Sequence, residues 1–483
     1  MTQGVAQCWH AHGVQIIALS LLLATAPACS DSSTTDPPPQ TPQNVNVNPG
    51  DDLQSLVSQY APGSTFFLAP GLYRQQSIVP KDGNTFTGQP GTILSGAVLL
   101  SSFTQSGAYW VADVQATPAA SYPGFCNPAH PNCLFPEDLF FDDVPKTRAS
   151  NLSALGTGQW YLDYTAGKAY MADNPVGHKV EISLTPHAFT GPAHGVTFSN
   201  LVVEKYASVA NDAAIYGWDG ADWTLTACEV RYNHALGIRT GNGMTLKQCY
   251  AHHNGQFGFG GQGDSVLLDH CRIAFNNYAG YNYYWGGGGA KFTEAQHLTI
   301  QYCNSHDNFG PGLETDAGCR YVLYDHNTTS NNIEVGILHE TGYDATISNN
   351  SLTNDGFNAD GTNPWWGSGI YVNTSSNVEV ENNTLVNCMN GITGRLDDRG
   401  NGANGQPYTL QNLSVHDNTI TQTTGMACAL VKGPSFDNSV YTSYNNHFQN
   451  NTFNLADPAT YDYFYWLGQP WTLAQWNQYS SLH

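Results

Sequence analysis

The sequence predicts an all-β protein whose short strands stack as the coils of a parallel β-helix, and three observations point to this class. A strand motif recurs eight times between residues 225 and 415, at intervals of 21 to 35 residues. Polar residues and cysteines recur at fixed offsets from each strand centre. Charged residues make up only 11% of the 483 residues, whereas glycine contributes 49 of them. Such a composition is typical of many short strands joined by turns.

The first segment predicts export. In residues 1–28 the apolar stretch "VQIIALSLLLATAPAC" is too short to span a bilayer and ends in small residues directly before Cys29, as in a lipoprotein-type signal peptide. Residues 29–49 are rich in Pro, Ser and Thr and predict a disordered tether. We therefore expect an outer-membrane or cell-surface lipoprotein, otherwise a periplasmic or secreted protein. Its only expected contact with a membrane is a lipid anchor.

The repeat defines the main body of the fold. Eight positions mark the strand centres: Leu225, Leu246, Leu268, Ile300, Leu323, Ile347, Val380 and Val415. Two further columns follow at three and eight residues beyond these centres: Cys228, Cys249, Cys271, Cys303, His326, Asn350, Asn383 and Asn418, and Asn233, Asn254, Asn276, Asn308, Asn331, Asp355, Cys388 and Thr423. Because coils stack at about 4.8 Å, equivalent residues form columns in which asparagine amides pair along the axis.

The cysteines divide into two groups. Cys228, Cys249, Cys271 and Cys303 share one column, where we expect small buried hydrophobic residues, although pairing between stacked neighbours stays open. A linear stack does not offer the tetrahedral geometry of a metal site. Cys126 and Cys133 in "CNPAHPNC" are the better candidates for a disulfide.

Beyond the tether, the predicted organisation has four parts. Residues 50–100 form an N-terminal cap and the first coils, residues 101–195 an inserted β-meander, residues 196–450 the main helix, and residues 451–483 a C-terminal cap that includes a helix. The cap would protect the open edge of the last coil.

The repeat and the opening "PGDDLQSLVSQYAPGSTFFLAPGLYR" resemble the pectate-lyase-like superfamily of right-handed parallel β-helix proteins, over roughly residues 48–450. This resemblance implies a right-handed helix and a carbohydrate ligand without choosing a reaction. The catalytic motifs of pectate lyases and polygalacturonases are absent from the sequence. No subgroup's catalytic residues can therefore be carried over, and the site rests on the columns alone.

Two outward-facing columns bring charged residues together. The column seven residues before each strand centre holds Arg239, Gly261, Thr293, Asp316, Glu340 and Asn373, and the column nine residues before it holds Lys291, Glu314, Leu338 and Tyr371. We predict an exposed patch with Asp316, Glu340, Glu314 and Lys291 as catalytic residues. The residues predicted to hold a sugar are Tyr371, Asn373, Arg395 and Arg239. His339 should point inward, and His252 and His253 receive no role.

Two insertions lie beside this patch. The 32-residue coil carries "NYAGYNYYWGGGG" and the 33-residue coil carries "NDGFNADGTNPWWG". Tyr284, Trp285, Trp365 and Trp366 are expected to wall a groove at either end. Aromatic side chains stack on the apolar faces of sugar rings, so Trp285, Trp365 and Trp366 join the predicted substrate-binding residues.

The preferred functional prediction is hydrolysis of a polysaccharide or oligosaccharide by the paired carboxyl groups of Asp316 and Glu340. One alternative is a lyase or uronan epimerase with Lys291 as base and calcium on Glu314, Asp316 and Glu340. A second is a non-catalytic glycan-binding surface lipoprotein, and a third is a merely solvated acidic face. The hydrolase requires no cofactor. The formal charge of −22 argues against nucleic acid, and a monomer is expected.

Overall fold

The computed structural model describes residues 41–118, 125–284, 286–357, 364–403 and 405–480. Its strands coil into a right-handed parallel β-helix, which confirms the predicted fold class. The predicted signal peptide, Cys29 and most of the tether, as well as Trp285, lie outside the described residues. No helix among the described residues is long and apolar enough to cross a membrane.

Three long sheets form the walls of the helix. The first sheet contains Asn44–Val47, Thr65–Leu68, Thr85–Thr87, Thr197–Ser199, Thr224–Thr226, Thr245–Lys247, Leu267–Asp269, Thr299–Gln301, Val322–Asp325, Tyr343–Ser348, Ser376–Glu381, Leu413–His416 and His447–Gln449. The second sheet contains Gly71–Arg74, Thr92–Ser95, Val202–Glu204, Glu229–Arg231, Tyr250–His252, Arg272–Ala274, Asn304–His306, Thr328–Ser330, Ser351–Thr353, Thr384–Val386, Thr419–Gln422 and Thr452–Leu455. The third sheet contains Phe189–Thr190, Ala213–Tyr216, Leu236–Thr240, Phe257–Gly261, Gly288–Thr293, Leu313–Asp316, Ile337–Glu340, Ser368–Asn373, Asn390–Leu396, Cys428–Lys432, Phe464–Trp466 and Gln469–Trp471.

Alternation along each short strand sends every second side chain inward, where equivalent residues of successive coils meet. The rings of Phe66, Phe86 and Phe198 stack with centroids 5.1 and 5.7 Å apart. Asparagines fill the turns in the same way. The Asn308 amide donates to Asn332 Oδ1 at 2.9 Å, and the Asn332 amide donates to Asp355 Oδ1 at 2.9 Å. These columns pair polar turn groups that burial would otherwise leave without partners.

One coil is out of register with the sequence prediction by a single residue. Tyr324, not Leu323, pairs with Ile300 and Ile347 and lies fully buried. The columns therefore contain Asn327 instead of His326 and Asn332 instead of Asn331. The physical reason is that Tyr324 can be accommodated inside, because its hydroxyl donates to Thr315 Oγ1 at 2.9 Å.

The predicted insertion is present as two small sheets built mainly from antiparallel pairs. One contains Ala97–Leu100, Leu139–Phe141, Val144–Pro145 and Val180–Ser183, and the other contains Thr104–Ser106, Tyr109–Asp113, Thr147–Arg148, Gln159–Asp163 and Lys168–Met171. The insertion thus begins at Ala97, slightly before the predicted boundary, and Phe189–Thr190 already belongs to the third sheet. A buried ion pair, Lys205 Nζ to Glu181 Oε2 at 2.6 Å, ties it to the coils.

Both predicted cysteine groups are found. Cys126 and Cys133 form the disulfide, whereas Cys228, Cys249, Cys271 and Cys303 are free and buried in their column. The backbone of Cys126 also forms an isolated antiparallel β-bridge with Tyr281, which connects the insertion to the loop before Gly288–Thr293.

The ends of the helix extend further than predicted. Asn44–Val47 pairs with Thr65–Leu68, so the first coil begins inside the predicted tether, because Val45 and Val47 are buried. At the other end, strands continue past residue 450 to Gln469–Trp471. The remaining helical segments are Leu53–Gln59, Leu152–Ala154, Pro364–Gly367, Ser439–Thr442 and Leu473–Ser480. The last of these lies in the predicted C-terminal cap. Its Trp476 ring stacks on the Phe464 ring, with the centroids 4.7 Å apart.

Candidate functional site

The third sheet assembles the charged cluster that the columns predicted. Lys291 pairs in register with Glu314, and Thr293 pairs with Asp316 on the same two strands. One coil further, Glu340 ends its strand and pairs with Asn373. The pleat directs these side chains away from the core at the carboxyl ends of successive strands. The structure thus brings all four predicted catalytic residues together.

The predicted exposure of this patch is wrong. Glu314 and Glu340 are each 2% exposed and Lys291 is 7% exposed, while Asp316 is only partly covered. The reason is that segments outside the regular coils close over the strand ends. Arg399, in the segment that follows Asn390–Leu396, places its guanidinium on Glu340. Burial makes the charge state of each carboxyl group depend on its immediate neighbours.

Asp316 is held as a carboxylate. Its Oδ1 accepts hydrogen bonds from Thr341 Oγ1 at 2.6 Å and from the Ala317 amide at 2.7 Å, and its Oδ2 lies 3.0 Å from Lys291 Nζ. Burial alone would raise the pKa of Asp316, but Lys291, Arg399 and these hydrogen bonds lower it to about 2. Asp316 is therefore ionised across the physiological pH range.

Glu340 has the opposite character. Its Oε1 accepts a hydrogen bond from Asn373 Nδ2 at 2.8 Å and also contacts Arg399. Burial raises the pKa of Glu340 to about 8, with further upward contributions from Asp316 and Glu314, although Arg399 and Lys291 oppose the shift. A pKa in this range favours the protonated form of Glu340 at neutral pH.

Lys291 and Glu314 form a buried ion pair beside these two groups. Lys291 Nζ lies 2.6 Å from Glu314 Oε1. Burial alone would lower the pKa of Lys291, but Glu314 and Asp316 raise it above its ordinary value. Burial raises the pKa of Glu314 to about 7 despite the opposing effect of Lys291. Lys291 is thus a fixed cation between Glu314 and Asp316, which makes it a poor general base.

A family model described as a right handed beta helix region matches residues 213–385, which include this cluster. The chain is a right-handed parallel β-helix protein. Among solved structures, XylC in its complex with xylose is similar with a TM-score of 0.57 at 11% identity, over 85% of this chain and 82% of that chain. A glycoside hydrolase is similar with a TM-score of 0.52 at 10% identity, over 84% of this chain and 99% of that chain.

The A-module of mannuronan C-5 epimerase AlgE4 from Azotobacter vinelandii has a TM-score of 0.46 at 13% identity, over 88% of this chain and 100% of that chain. A comparison with curated protein sequences returned no match. At their low identities, the two similarities with TM-scores of 0.57 and 0.52 show a shared fold.

The aromatic residues that were predicted to line a sugar-binding groove pack against one another instead. Tyr371 is fully buried, with its ring centroid 5.3 Å from that of Trp366, and Trp366 lies 6.0 Å from Tyr284. The prediction that Tyr371 lies in an exposed patch is therefore wrong, because Tyr371 packs against Leu338, its neighbour in the column, and against these rings. Trp365 is partly exposed and contacts Tyr465.

The predicted arginines differ in position. Arg395 pairs in register with Asn373, as expected, and its Nε lies 2.5 Å from Asp397 Oδ2. Arg239 belongs to the column of Lys291, because Arg239 pairs with Gly260 and Gly260 with Lys291. Its predicted place in the Asp316 column is wrong, since the strands Phe257–Gly261 and Gly288–Thr293 are each shifted by one residue relative to the repeat count. Arg239 lies over Trp218 instead.

Sequence reasoning missed Arg399 and Thr341. Arg399 lies in the insertion that lengthens the coil between Val380 and Val415 to 35 residues, and this spacing was the available signal. Arg395 lies near the carboxyl end of its strand, and the charged cluster lies at the carboxyl ends of the neighbouring strands. An insertion directly after Arg395 is therefore placed to contact the cluster. Thr341 is the next residue after Glu340, and its contact with Asp316 depends on the turn at φ 44°.

The three carboxyl groups also satisfy the distance condition for a cation site. Glu314, Asp316 and Glu340 each offer an oxygen within 4.8 Å of the others. Lys291 Nζ, however, lies within 3.0 Å of two of these carboxyl groups and already supplies a positive charge there. The donor set fits calcium only if the ammonium group moves away.

His339 points inward, as the alternation predicts. Its Nδ1 lies 2.7 Å from Thr315 Oγ1, and burial lowers its pKa to about 4. His339 is thus a neutral residue of the interior behind Glu340.

Proposed function

We propose that this β-helix protein is a glycoside hydrolase that uses Asp316 as nucleophile and Glu340 as general acid and base. One observation carries the proposal: two carboxyl groups on adjacent coils have been driven to opposite charge states. Asp316 is ionised with a pKa of about 2, whereas the pKa of Glu340 is about 8. Glycosidases with paired carboxyl groups require this division of roles.

The separation of the carboxyl groups favours retention of anomeric configuration. One oxygen of Asp316 and one of Glu340 lie within 4.8 Å of each other. Retaining enzymes place their carboxyl groups about 5–5.5 Å apart, whereas inverting enzymes leave about 6.5–9.5 Å for a water molecule. A limit of 4.8 Å between these oxygens is compatible with the retaining range, so direct attack by Asp316 is the step we propose.

The proposed reaction has two halves. Asp316 attacks the anomeric carbon while the glycosidic C–O bond breaks, and Glu340 gives its proton to the departing oxygen. Glu340, now a carboxylate, removes a proton from water, whose oxygen attacks the same carbon. The bond to Asp316 breaks, and both carboxyl groups return to their starting states.

The surrounding residues tune this pair. Lys291 keeps Asp316 ionised, and Glu314 fixes the position of Lys291 through the 2.6 Å ion pair. Asn373 orients Glu340 by donating to Oε1. Arg399 and Asn373 both contact Oε1 of Glu340, so the proton to be transferred would be on Oε2.

The comparisons support a carbohydrate substrate in general terms. The two structures with TM-scores of 0.57 and 0.52 are XylC with bound xylose and a glycoside hydrolase. The charge state of Lys291 supports the proposal of hydrolysis over elimination, because a lyase or epimerase that used Lys291 as base would need an amine with a lowered pKa. The neighbours of Lys291 raise that pKa instead.

A calcium-assisted lyase is the second candidate, and the convergence of Glu314, Asp316 and Glu340 favours it. Such an enzyme would place the cation where the ammonium of Lys291 lies in this structure. It would depend on added calcium and lose activity with a chelator.

A single assay separates these functions. Neutral and acidic glycans are incubated with the full chain, with Glu340→Gln and with Lys291→Ala, with and without chelator. New reducing ends without ultraviolet absorbance of an unsaturated uronide, lost in Glu340→Gln, support the hydrolase. Absorbance that disappears with chelator or in Lys291→Ala refutes it in favour of the lyase. If the protein binds glycan but forms no product, and binding persists in Glu340→Gln, the protein is a non-catalytic binding protein.

We also propose that the protein is exported, anchored through lipid on Cys29 and monomeric. The support is the apolar segment before Cys29 and the polar stretch that follows it. Incorporation of labelled palmitate into the protein, lost in Cys29→Ser, tests the anchor. Sedimentation of the chain without residues 1–29 tests the monomer.

A further inference from the structure

A polar groove lies beside the candidate site, on the side of the earlier coils. It has a volume of about 440 Å³ and follows the turns after successive strands of the third sheet. Its lining is polar apart from one indole and includes Trp218, Asn242, Gln262, Asp264, Glu294 and Gln296.

The groove approaches the catalytic pair along the coil that precedes Asp316. The Glu294 amide donates to the Ala317 carbonyl at 3.2 Å, and Ala317 directly follows Asp316. Gln262 Nε2 donates to Thr293 Oγ1 at 3.3 Å, and Thr293 pairs in register with Asp316. One end of the groove therefore reaches the coil next to Asp316.

The other end is marked by Trp218. The strand that precedes it, Ala213–Tyr216, lies four coils before Leu313–Asp316 in the third sheet. At about 4.8 Å per coil the groove extends about 19 Å from the catalytic pair, which is enough for several sugar residues. The guanidinium carbon of Arg239 lies 4.3 Å from the centroid of the Trp218 ring and holds the half-buried indole in place.

The chemistry of the lining defines the ligand. Asn242, Gln296 and Gln262 offer amide donors and acceptors that match sugar hydroxyl groups, and Trp218 offers an aromatic surface for the apolar face of a ring. The ionisable lining residues, Asp264 and Glu294, are both acidic and exposed. Carboxylates repel the acid groups of a polyuronate but accept hydrogen bonds from neutral sugars.

We propose that this groove binds successive residues of a neutral glycan chain whose cleaved bond lies at Asp316 and Glu340. The inference rests on the proposed hydrolase function and adds to it the substrate class and the direction of the chain. The glycan runs along the helix axis, from the catalytic pair towards Trp218. The enzyme consequently prefers long neutral chains.

The test uses xylo-oligosaccharides and cello-oligosaccharides from disaccharide to hexasaccharide, with oligogalacturonides of equal length as acidic counterparts. For each, kcat/KM is measured with the full chain, Trp218→Ala, Trp218→Phe and Tyr302→Ala. Tyr302 is an exposed aromatic residue, 46% exposed, on a turn after the first sheet, and serves as the matched control. Dissociation constants are measured separately in the Glu340→Gln background.

We expect kcat/KM of the full chain to rise with length for a neutral series only. Loss of one stacking contact should lower the hexasaccharide-to-disaccharide ratio about tenfold in Trp218→Ala. Trp218→Phe should recover most of the ratio, and Tyr302→Ala should not change it. Equal losses at every length, or an unchanged ratio in Trp218→Ala, would overturn the groove while leaving the hydrolase intact.

The binding measurement keeps the two proposals distinguishable. If no glycan is cleaved, the hydrolase fails, and the groove is then judged on binding alone. Tighter binding of neutral hexasaccharide than of disaccharide, weakened in Trp218→Ala, supports the groove. Absent binding of every neutral hexasaccharide, or equal binding of oligogalacturonides, overturns it.

Discussion

Replacing Glu340 by Gln should remove the general acid while preserving the shape of the site. The side chain is 2% exposed, and the amide keeps an oxygen for the hydrogen bond from Asn373. Because the pKa of Glu340 is about 8 and that of Asp316 about 2, kcat/KM of the unmodified protein should form a broad bell between these values. The alkaline limb of that bell belongs to Glu340.

The size of the effect depends on the leaving group. General acid catalysis contributes roughly 10²–10⁴ in rate, so Glu340→Gln should lose this factor on a glycan whose leaving group is a sugar hydroxyl. An aryl glycoside with an acidic phenol needs little protonation and should lose far less in the step that forms the intermediate. The alkaline limb near pH 8 should disappear with both substrates.

The assay is the pH dependence of kcat/KM from pH 3 to 10, followed by reducing ends for the glycan and by phenol release for the aryl glycoside. Glu379→Gln, an acid on the outer face of the first sheet whose side chain is 50% exposed, is the matched control and should behave like the unmodified protein. Equal losses on both substrates, or an alkaline limb that survives in Glu340→Gln, would refute the assignment of Glu340 as general acid.

Three further predictions concern charge and register. Lys291→Met should move the acidic limb of kcat/KM upward from about pH 2, because burial alone raises the pKa of Asp316. Lys291→Arg keeps the positive charge and is the control. An acidic limb that stays in place in Lys291→Met would contradict the role of the cation. The folded-state pKa of Glu340, about 8, exceeds its unfolded value of 4.5, so the unfolded chain releases this proton first and the free energy of unfolding should fall as pH rises through that window. Urea titrations should show a shallower fall in Glu340→Gln, and an identical slope would count against the buried proton. Asn332→Ala should lower the free energy of unfolding by about 1–3 kcal/mol by breaking the asparagine column, whereas Asn331→Gly, exposed and at φ 56°, should have little effect. If urea titrations showed a larger loss of stability in Asn331→Gly than in Asn332→Ala, the register would be refuted.

Much of this molecule follows from the sequence, because stacked coils turn a linear repeat into spatial neighbours. The 24-residue offset between Asp316 and Glu340 places both on the third sheet, and no knowledge of the remaining fold is needed to predict their proximity. The cysteine column, the disulfide of Cys126 and Cys133, and the position of the insertion were predictable for the same reason or from local spacing.

Tertiary structure alone decided the register of individual coils and the charge states. A one-residue shift costs little in a repeat of short strands when another residue can occupy the interior, and Tyr324 does so by using Thr315 as its partner. The count from strand centres has no means of detecting this shift. It put Asn332 in the column position predicted for Asn331. Two similar shifts, at Phe257–Gly261 and at Gly288–Thr293, moved Arg239 out of the Asp316 column.

Burial of the carboxyl pair was equally beyond the sequence. The strands place Glu340 on the outer surface of the helix, and Arg399, from the segment after Asn390–Leu396, contacts it there. The pKa of a carboxyl group depends on the water removed and the charges brought near, which are set by contacts between distant parts of the chain. The sequence determined that two carboxyl groups would lie on adjacent coils, and the packing around them decided which one keeps its proton.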